Sequence, residues 1–303
     1  LEYWQNRLEN GDYRLELPTD LPRPAHLDNR AGTCFAQVPT ALAERLRRFA
    51  QERQVTPFVL LLAGLKLFLG RYSGQQDLRI GTPVANRRLQ AVQPLIGCFV
   101  NTLVIRSELT PTQRFGDYLA QLRQTVLDAQ EHQDVPFEQV VEHLAPERDL
   151  AHTPLFQVAF VMQNSTRASL DWPGLRLQPL DIRSPAAKFD QNWEVHDDGE
   201  HLSVMLEYRA SLFHESTMQA WLGQWLAFLE QLPQTVDTPL AQLTPLSEAD
   251  RQRQLQHWND TARHYPGPAT LSEALARQVR NSPEAPALVY EGETLSYATL
   301  HQR

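Results

Sequence analysis

A chain of 303 residues, 42% of them apolar, can bury a sizeable core, so disorder is not the default reading. A net charge of −8 and a pI near 5.7 leave no broad basic field, so nucleic acid is not an expected partner. The two cysteines, Cys34 and Cys98, are too few for a disulfide framework. Both read as small buried side chains in a reducing cytoplasm, with a reactive thiol as the alternative.

The first residues, Leu1 to Asn10, show neither a starting Met nor a charged stretch leading into an apolar core, so the chain reads as the interior of a longer protein. Leu17 to Pro24 contains three prolines, which remove donors and hold the backbone extended, and is expected to cross between parts of a domain. Thr33 to Val38 alternates as a strand. Ala41 to Gln54 carries Leu42, Leu46 and Phe49 at helical spacing, which predicts an amphipathic helix. Thr56-Pro57 is a helix start and Gly70 a stop. The apolar run between them, Phe58 to Leu69, is shorter than the roughly 20 residues of a membrane span and contains Lys66, so a buried helix is expected and no membrane partner. Lys66 and Lys188 are the only lysines, as in a GC-rich bacterial genome.

Two β-rich stretches, Leu78 to Val84 and Phe99 to Ile105, flank a polar loop with Arg87, Arg88 and Gln90. Phe115, Tyr118, Leu119, Leu122 and Val126 predict a long one-sided helix ending before His132, and Pro136 opens a short one through Leu144. Further strands are expected at Phe156 to Gln163, Leu175 to Ile182, Phe189 to Val195 and Leu202 to Tyr208. A tryptophan-rich helix then runs from about Glu215 to Leu232; Trp221 and Trp225 lie at i and i+4, the spacing of a packed face. The composition changes near Pro233, where a proline-rich stretch surrounds one polar helix, Ser247 to Trp258, and reads as a linker. A new unit follows, with a helix at Leu271 to Arg280, a strand at Ala287 to Tyr290, a turn at Glu291-Gly292 and a strand at Thr294 to Ser296 entering another helix. So few residues open a larger domain and do not complete one.

His132-Gln133-Asp134 with Glu138 places imidazole and carboxylate close together, as proton transfer or a divalent ion would need. No second histidine lies three or four residues away, and Pro136 puts the group in a turn where Asp134 can cap the next helix, so a structural role is the competing reading. His196-Asp197-Asp198-Gly199 reads as a hairpin turn in preference to a metal loop. Phosphate loops, nucleophile elbows and Cys-x-x-Cys pairs are absent from the sequence.

Four stretches, in order, resemble the condensation domains of nonribosomal peptide synthetases. They are Ile80-Gly81-Thr82-Pro83-Val84-Ala85-Asn86-Arg87, Ile96-Gly97-Cys98-Phe99-Val100-Asn101-Thr102 with Arg106, His132-Gln133-Asp134-Val135-Pro136-Phe137-Glu138, and Arg148-Asp149-Leu150-Ala151-His152-Thr153-Pro154-Leu155. Trp258-Asn259-Asp260-Thr261-Ala262 and Leu295-Ser296-Tyr297-Ala298-Thr299-Leu300 resemble the junction and first core motif of adenylation domains. The resemblance implies an α/β chloramphenicol-acetyltransferase-like subdomain over residues 1–236, a linker over 237–265 and a truncated adenylation start over 266–303. The family's His-His-x-x-x-Asp-Gly motif has no copy in the sequence, so no catalytic residue and no metal ligand is expected here. The resemblance implies amide formation between acyl groups on donor and acceptor peptidyl carrier domains, tethered by phosphopantetheine, with ATP and Mg serving the complete adenylation domain.

It also implies that Arg87 pairs with the Asp of the absent motif, a solvated loop arginine being the plain alternative. Asn101, read as mid-strand, is expected to line the tunnel or bridge strands, or to be a satisfied core amide. The segment from His132 and Gln133 through Asp134, Pro136 and Phe137 to Glu138 is expected to shape a loop over the channel. A free-standing acyltransferase and a catalytically silent docking platform are the alternatives.

Overall fold

The computed structural model describes residues 1–11, 13–26, 28–144, 149, 151–163, 185–264, 267–268 and 270–303. The expected strand at Leu175 to Ile182 lies outside them, as do Arg148 and Leu150. The chain divides into two compact units, Leu1–Asp250 and Arg251–Arg303.

The first unit opens with helix α1 (Glu2–Leu8) and then runs β1 (Ala31–Val38), α2 (Thr40–Glu52), α3 (Pro57–Ser73), β2 (Asp77–Val84), β3 (Asn101–Glu108), α4 (Phe115–Glu131) and α5 (Phe137–Leu144). After these come β4 (Val158–Gln163), β5 (Gln191–Asp197), β6 (Leu202–Arg209) and α6 (Glu215–Gln231). Among the described residues six strands form one mixed sheet in the order β1-β6-β5-β4-β2-β3. The β4 pairings to β2 and β5 are parallel and the others antiparallel. Parallel neighbours need a long crossover, and between β2 and β4 it contains β3, α4 and α5.

α3 is apolar all round and buried from Val59 to Gly70, the signature of a central helix. Thr56 caps it, its hydroxyl accepting from Val59 N at 3.3 Å, as expected. The stop is a correction: the helix runs through Gly70 and ends at Gly74, in the left-handed conformation at φ 70°. Gly70 is instead a close-packing position, where a Cβ would meet Leu109 Cδ1 at 2.6 Å. Lys66, fully buried on α3, donates to Leu78 O at 3.1 Å and Ile105 O at 2.6 Å, tying the helix to β2 and β3. Burial holds its pKa well below the usual lysine value.

Trp193 on β5 meets Trp225 of α6 edge-on at 5.2 Å and Phe68 of α3 at 6.2 Å. This buries one face of the sheet; on the other, Phe35 is exposed and Glu194, Met205 and Glu207 are half-buried. Trp221 and Trp225 are core residues, as their spacing predicted. The hairpin turn at 196–199 is also as expected: Gly199 has φ 92°, and Asp198 Oδ1 accepts from Glu200 N and His201 N. The proline-rich segment does cross the domain. Arg23 reaches the buried Asp190 at 2.5 Å, and Asp20 accepts from His214 N at 2.8 Å, supplying from afar the cap that α6 lacks locally.

The stretch expected as linker from residue 237 is bound into the first unit as far as Leu243: Phe115 N donates to Thr238 O at 3.0 Å, and Leu240 and Leu243 are buried. The polar helix beyond covers nearly the expected span but changes geometry midway. α7 (Glu248–Gln252) passes into one π turn, Arg253–His257. In the second unit α8 (Leu271–Asn281), β7 (Pro286–Tyr290), β8 (Glu293–Ser296) and α9 (Tyr297–Gln302) follow the predicted order. Thr270 and Ser296 cap the two helices, and positive φ at Glu291 and Gly292 makes the hairpin turn. No single helix among the described residues is long and apolar enough to cross a membrane.

Candidate functional site

Three of the four family-like segments meet at one end of the sheet. β2 and β3 pair in register from Asp77↔Glu108 to Val84↔Asn101, so the last residue of one strand faces the first of the other. Residues 85–100 project between them as an arm. Asn86, at φ 50°, turns the chain out of β2 in a left-handed conformation that asparagine tolerates.

Arg87 organises this arm. Its Nη1 donates to Val92 O at 2.7 Å, Gln93 O at 3.2 Å and Leu95 O at 2.7 Å, and Nη2 to Gly97 O at 3.1 Å. The guanidinium also lies 4.3 Å from the centroid of the Phe99 ring. A planar fork that is always charged suits such a cage of carbonyls, whereas an ammonium would satisfy fewer of them. The arm presents Leu89, Leu95, Ile96 and Val100 to the outside. Cys98 is exposed on it, a correction to the buried cysteine expected there. Cys34 is buried, and desolvation pushes its thiol up to about 11.

Asn101 opens β3, one correction to the mid-strand placement, and is 9% exposed. All its polar capacity is directed at the His132–Phe137 turn or at its own strand. Nδ2 donates to Gln133 O at 2.7 Å and Val135 O at 2.8 Å, and Oδ1 accepts from Phe137 N at 3.0 Å and Thr102 N at 2.9 Å. A buried amide with both ends satisfied is a rigid joint. It also caps α5, the role expected of Asp134, which instead pairs with Arg88 at 3.3 Å on the surface.

His132 follows α4. Its Nδ1 lies 2.8 Å from Asp128 O; a carbonyl only accepts, so this nitrogen carries the proton. The ring stacks on Tyr3 at 4.0 Å, and its backbone carbonyl accepts from Trp4 Nε1 at 3.1 Å. Gln133 Nε2 turns back to Gln130 O at 2.7 Å. Pro136 O accepts from Gln139 N and Val140 N of α5, Phe137 packs 5.7 Å from Phe156, and Glu138 is exposed in the first turn, where a carboxylate complements the helix end. Among the described residues no group of His, Cys, Asp and Glu could hold a metal ion.

The fourth segment lies elsewhere, in the turn that leads into β4. Asp149 accepts from Ala151 N at 2.8 Å and from His152 Nδ1 at 2.5 Å, and these bonds, the backbone one first, hold its carboxyl below the usual range. A cavity of about 210 Å³ is lined by Phe58, Thr82, Val84, Leu103, Gln130 and Met162. The contribution of α1 was missed in the sequence, although Trp4 and Leu8 stand at i and i+4 and are both buried. What converges here is a set of hydrogen-bonded turns held by Arg87, Asn101 and Trp4.

The condensation-domain family matches residues 1–255. Curated relatives align along essentially the whole chain. Tyrocidine synthase 3 of Brevibacillus parabrevis is 35% identical over 302 residues, covering 99% of this chain and 5% of that protein. Malpinin synthetase of Mortierella alpina is 35% identical over 302 residues, with 100% and 4% covered. Among solved structures, a four-domain nonribosomal peptide synthetase bound to AMP and glycine superposes with TM-score 0.87 at 23% identity, over 99% of this chain and 24% of that one. The X-domain from teicoplanin biosynthesis gives TM-score 0.74 at 27% identity, over 81% and 56%. This chain therefore spans a small part of its curated relatives, and it belongs to the condensation-domain family of nonribosomal peptide synthetases.

Proposed function

We propose that this chain is one wall of a condensation tunnel, in which the amine of an acceptor aminoacyl group attacks the thioester of a donor acyl group. Both groups ride on phosphopantetheine arms of peptidyl carrier domains. The new C–N bond replaces the C–S bond, the donor arm leaves as a thiol, and the amine gives up a proton. An imidazole from the His-His-x-x-x-Asp-Gly motif, lying beyond this chain, positions or deprotonates the amine and steadies the tetrahedral intermediate. The carrying observation is that residues 80–87 and 96–106, paired through β2 and β3, meet the 132–138 turn at their Val84–Asn101 end, where three hydrogen bonds of Asn101 hold that turn. The apolar side chains on the arm suit a cover supplied by the other half of the tunnel. Arg87 holds that arm through the carbonyls of Val92, Gln93, Leu95 and Gly97, so it is a support to the reaction and not a proton carrier.

Residues 266–303 fit the opening of an adenylation domain, whose complete form would use ATP and Mg. In support, the adenylation-like Leu295 to Leu300 runs from β8 into α9 as a strand–helix junction, and curated synthetases align through these residues. A cytoplasmic bacterial synthetase is the setting proposed for the whole.

The test is amide formation by the synthetase containing this chain, with both substrates loaded on carriers. Arg87→Ala should cut turnover at least tenfold while carrier binding changes less than twofold, and the isolated chain should turn nothing over. Equal yield from the Arg87→Ala enzyme, or turnover by the isolated chain, would reject the assignment. A docking platform without catalysis is the second reading, favoured by the X-domain likeness, since that domain is also known in a complex with OxyB. An intact histidine motif upstream, essential for product, decides against it.

A further inference from the structure

We propose that Tyr3 and Trp4 are positioning residues for condensation, fixing the His132–Phe137 turn from the side opposite Asn101. The proposal rests on the tunnel function above and adds to it the element that sets the turn's position. Trp4 is 3% exposed, and its indole N–H donates to His132 O at 3.1 Å. The Tyr3 ring lies 4.0 Å from the His132 imidazole with planes 8° apart, and it meets Trp4 edge-on at 5.0 Å. From the other side Asn101 takes Gln133 O, Val135 O and Phe137 N. Within one short turn, three carbonyls and one N–H are thus bound by side chains from two remote elements.

The far end of α1 is fastened as firmly. Arg7 Nη2 donates to Arg106 O at 2.9 Å and Thr125 Oγ1 at 3.2 Å, and Arg106 Nη1 returns a bond to Arg7 O at 3.0 Å. Arg79 Nη2 holds Asn10 O at 2.8 Å and Gly11 O at 3.1 Å. α1 is therefore a short stiff bar. Its Arg7 end is clamped to β2, β3 and α4, and its Tyr3-Trp4 end bears on the turn.

Apolar packing alone would bury Trp4 without aiming its single donor at a turn carbonyl. The aimed bond sets where that carbonyl lies, and Asn101 carries the position on to the first residue of β3, at the root of the Arg87 arm. Misplacing reacting groups by about 1 Å can cost on the order of a hundredfold in rate, so a lost brace should appear in turnover before it appears in binding.

The experiment uses the complete synthetase with carrier-loaded substrates. Trp4→Phe keeps an aromatic ring and deletes the N–H together with part of the indole volume, and Tyr3→Leu keeps apolar bulk and deletes the stack. Each should lower kcat for amide formation five- to twentyfold and leave KM for the acceptor carrier within twofold, a loss larger than the accompanying fall of a few degrees in melting temperature accounts for. Trp4→Phe in an Asn101→Ala background should add less than twofold, because the turn is already loose there. Unchanged kcat in both single variants would overturn the proposal. So would a fall in kcat that only tracks the folded fraction, which is what a packing role gives. A wild-type synthetase that forms no amide would remove the condensation function and this proposal with it, whereas an active wild type with indifferent variants removes the proposal alone.

Discussion

The value of a side chain here depends on how many groups rely on it, and Asn101 has the most dependants. Asn101→Ala leaves two carbonyls and two N–H groups short of a partner, a cost of about 2–3 kcal/mol. Thermal unfolding should fall by about 5–10 °C. Asn101→Asp should be worse at neutral pH, where a carboxylate would face the Gln133 and Val135 carbonyls, and should recover as pH falls and that carboxyl protonates in place. A melting temperature for Asn101→Asp that does not rise relative to wild type between pH 7 and pH 5 would contradict this geometry. The two cysteines make a second contrast. With its thiol pushed up to about 11 and buried, Cys34 should resist a thiol reagent at pH 8 in the native chain, while the exposed Cys98 reacts at once. Colorimetric titration should count one fast thiol before denaturation and two after, and Cys98→Ser should abolish the fast one.

At the scale of elements, β2 is the strand on which the site depends, since it ends at the Arg87 arm and packs between β3 and β4. Gly81 in its middle faces the Phe156 ring, and a Cβ there would collide with three ring carbons. Gly81→Ala should therefore cost about 1–3 kcal/mol by overpacking, readable as a lower denaturation midpoint with an unchanged m-value. An unshifted midpoint would mean that Phe156 swings aside freely. The same element shows how much local pattern can say. The alternation of β1 and the helical spacing of α2, α4 and α6 were readable in the sequence, because each carries a regular apolar period, while β2 was readable as a β-rich stretch. Gly70 misled because glycine is both a helix stop and a packing residue, and only the neighbouring Leu109 separates the two uses.

Across the molecule, the sheet leaves one face partly open, and charge gathers on it. Burial first, and the neighbouring Glu194 second, raise the pKa of Glu207 above the ordinary glutamate value. A raised folded pKa means that Glu207 favours the fold below the unfolded value, and that this contribution disappears as pH climbs through the folded one. Glu207→Gln should then melt about 1–2 °C above wild type at pH 7 and no higher at pH 4, a small effect because the group is half exposed. A gain of equal size at both pH values would show that charge is not the cause.

Apolar period was enough to expect mixed α and β elements, and the resemblance carried by four ordered motifs was enough to expect the condensation family, since both depend on residues close in the chain. They could not say that Arg87 spends its donors on carbonyls up to ten residues away, that Asp20 caps a helix nearly two hundred residues downstream, or that Trp4 and Asn101 grip one turn from two sides. Hydrogen bonds of that kind have no period. They are chosen by whichever polar groups the packed sheet and helices bring within about 3 Å, and that choice exists only once the chain has closed on itself.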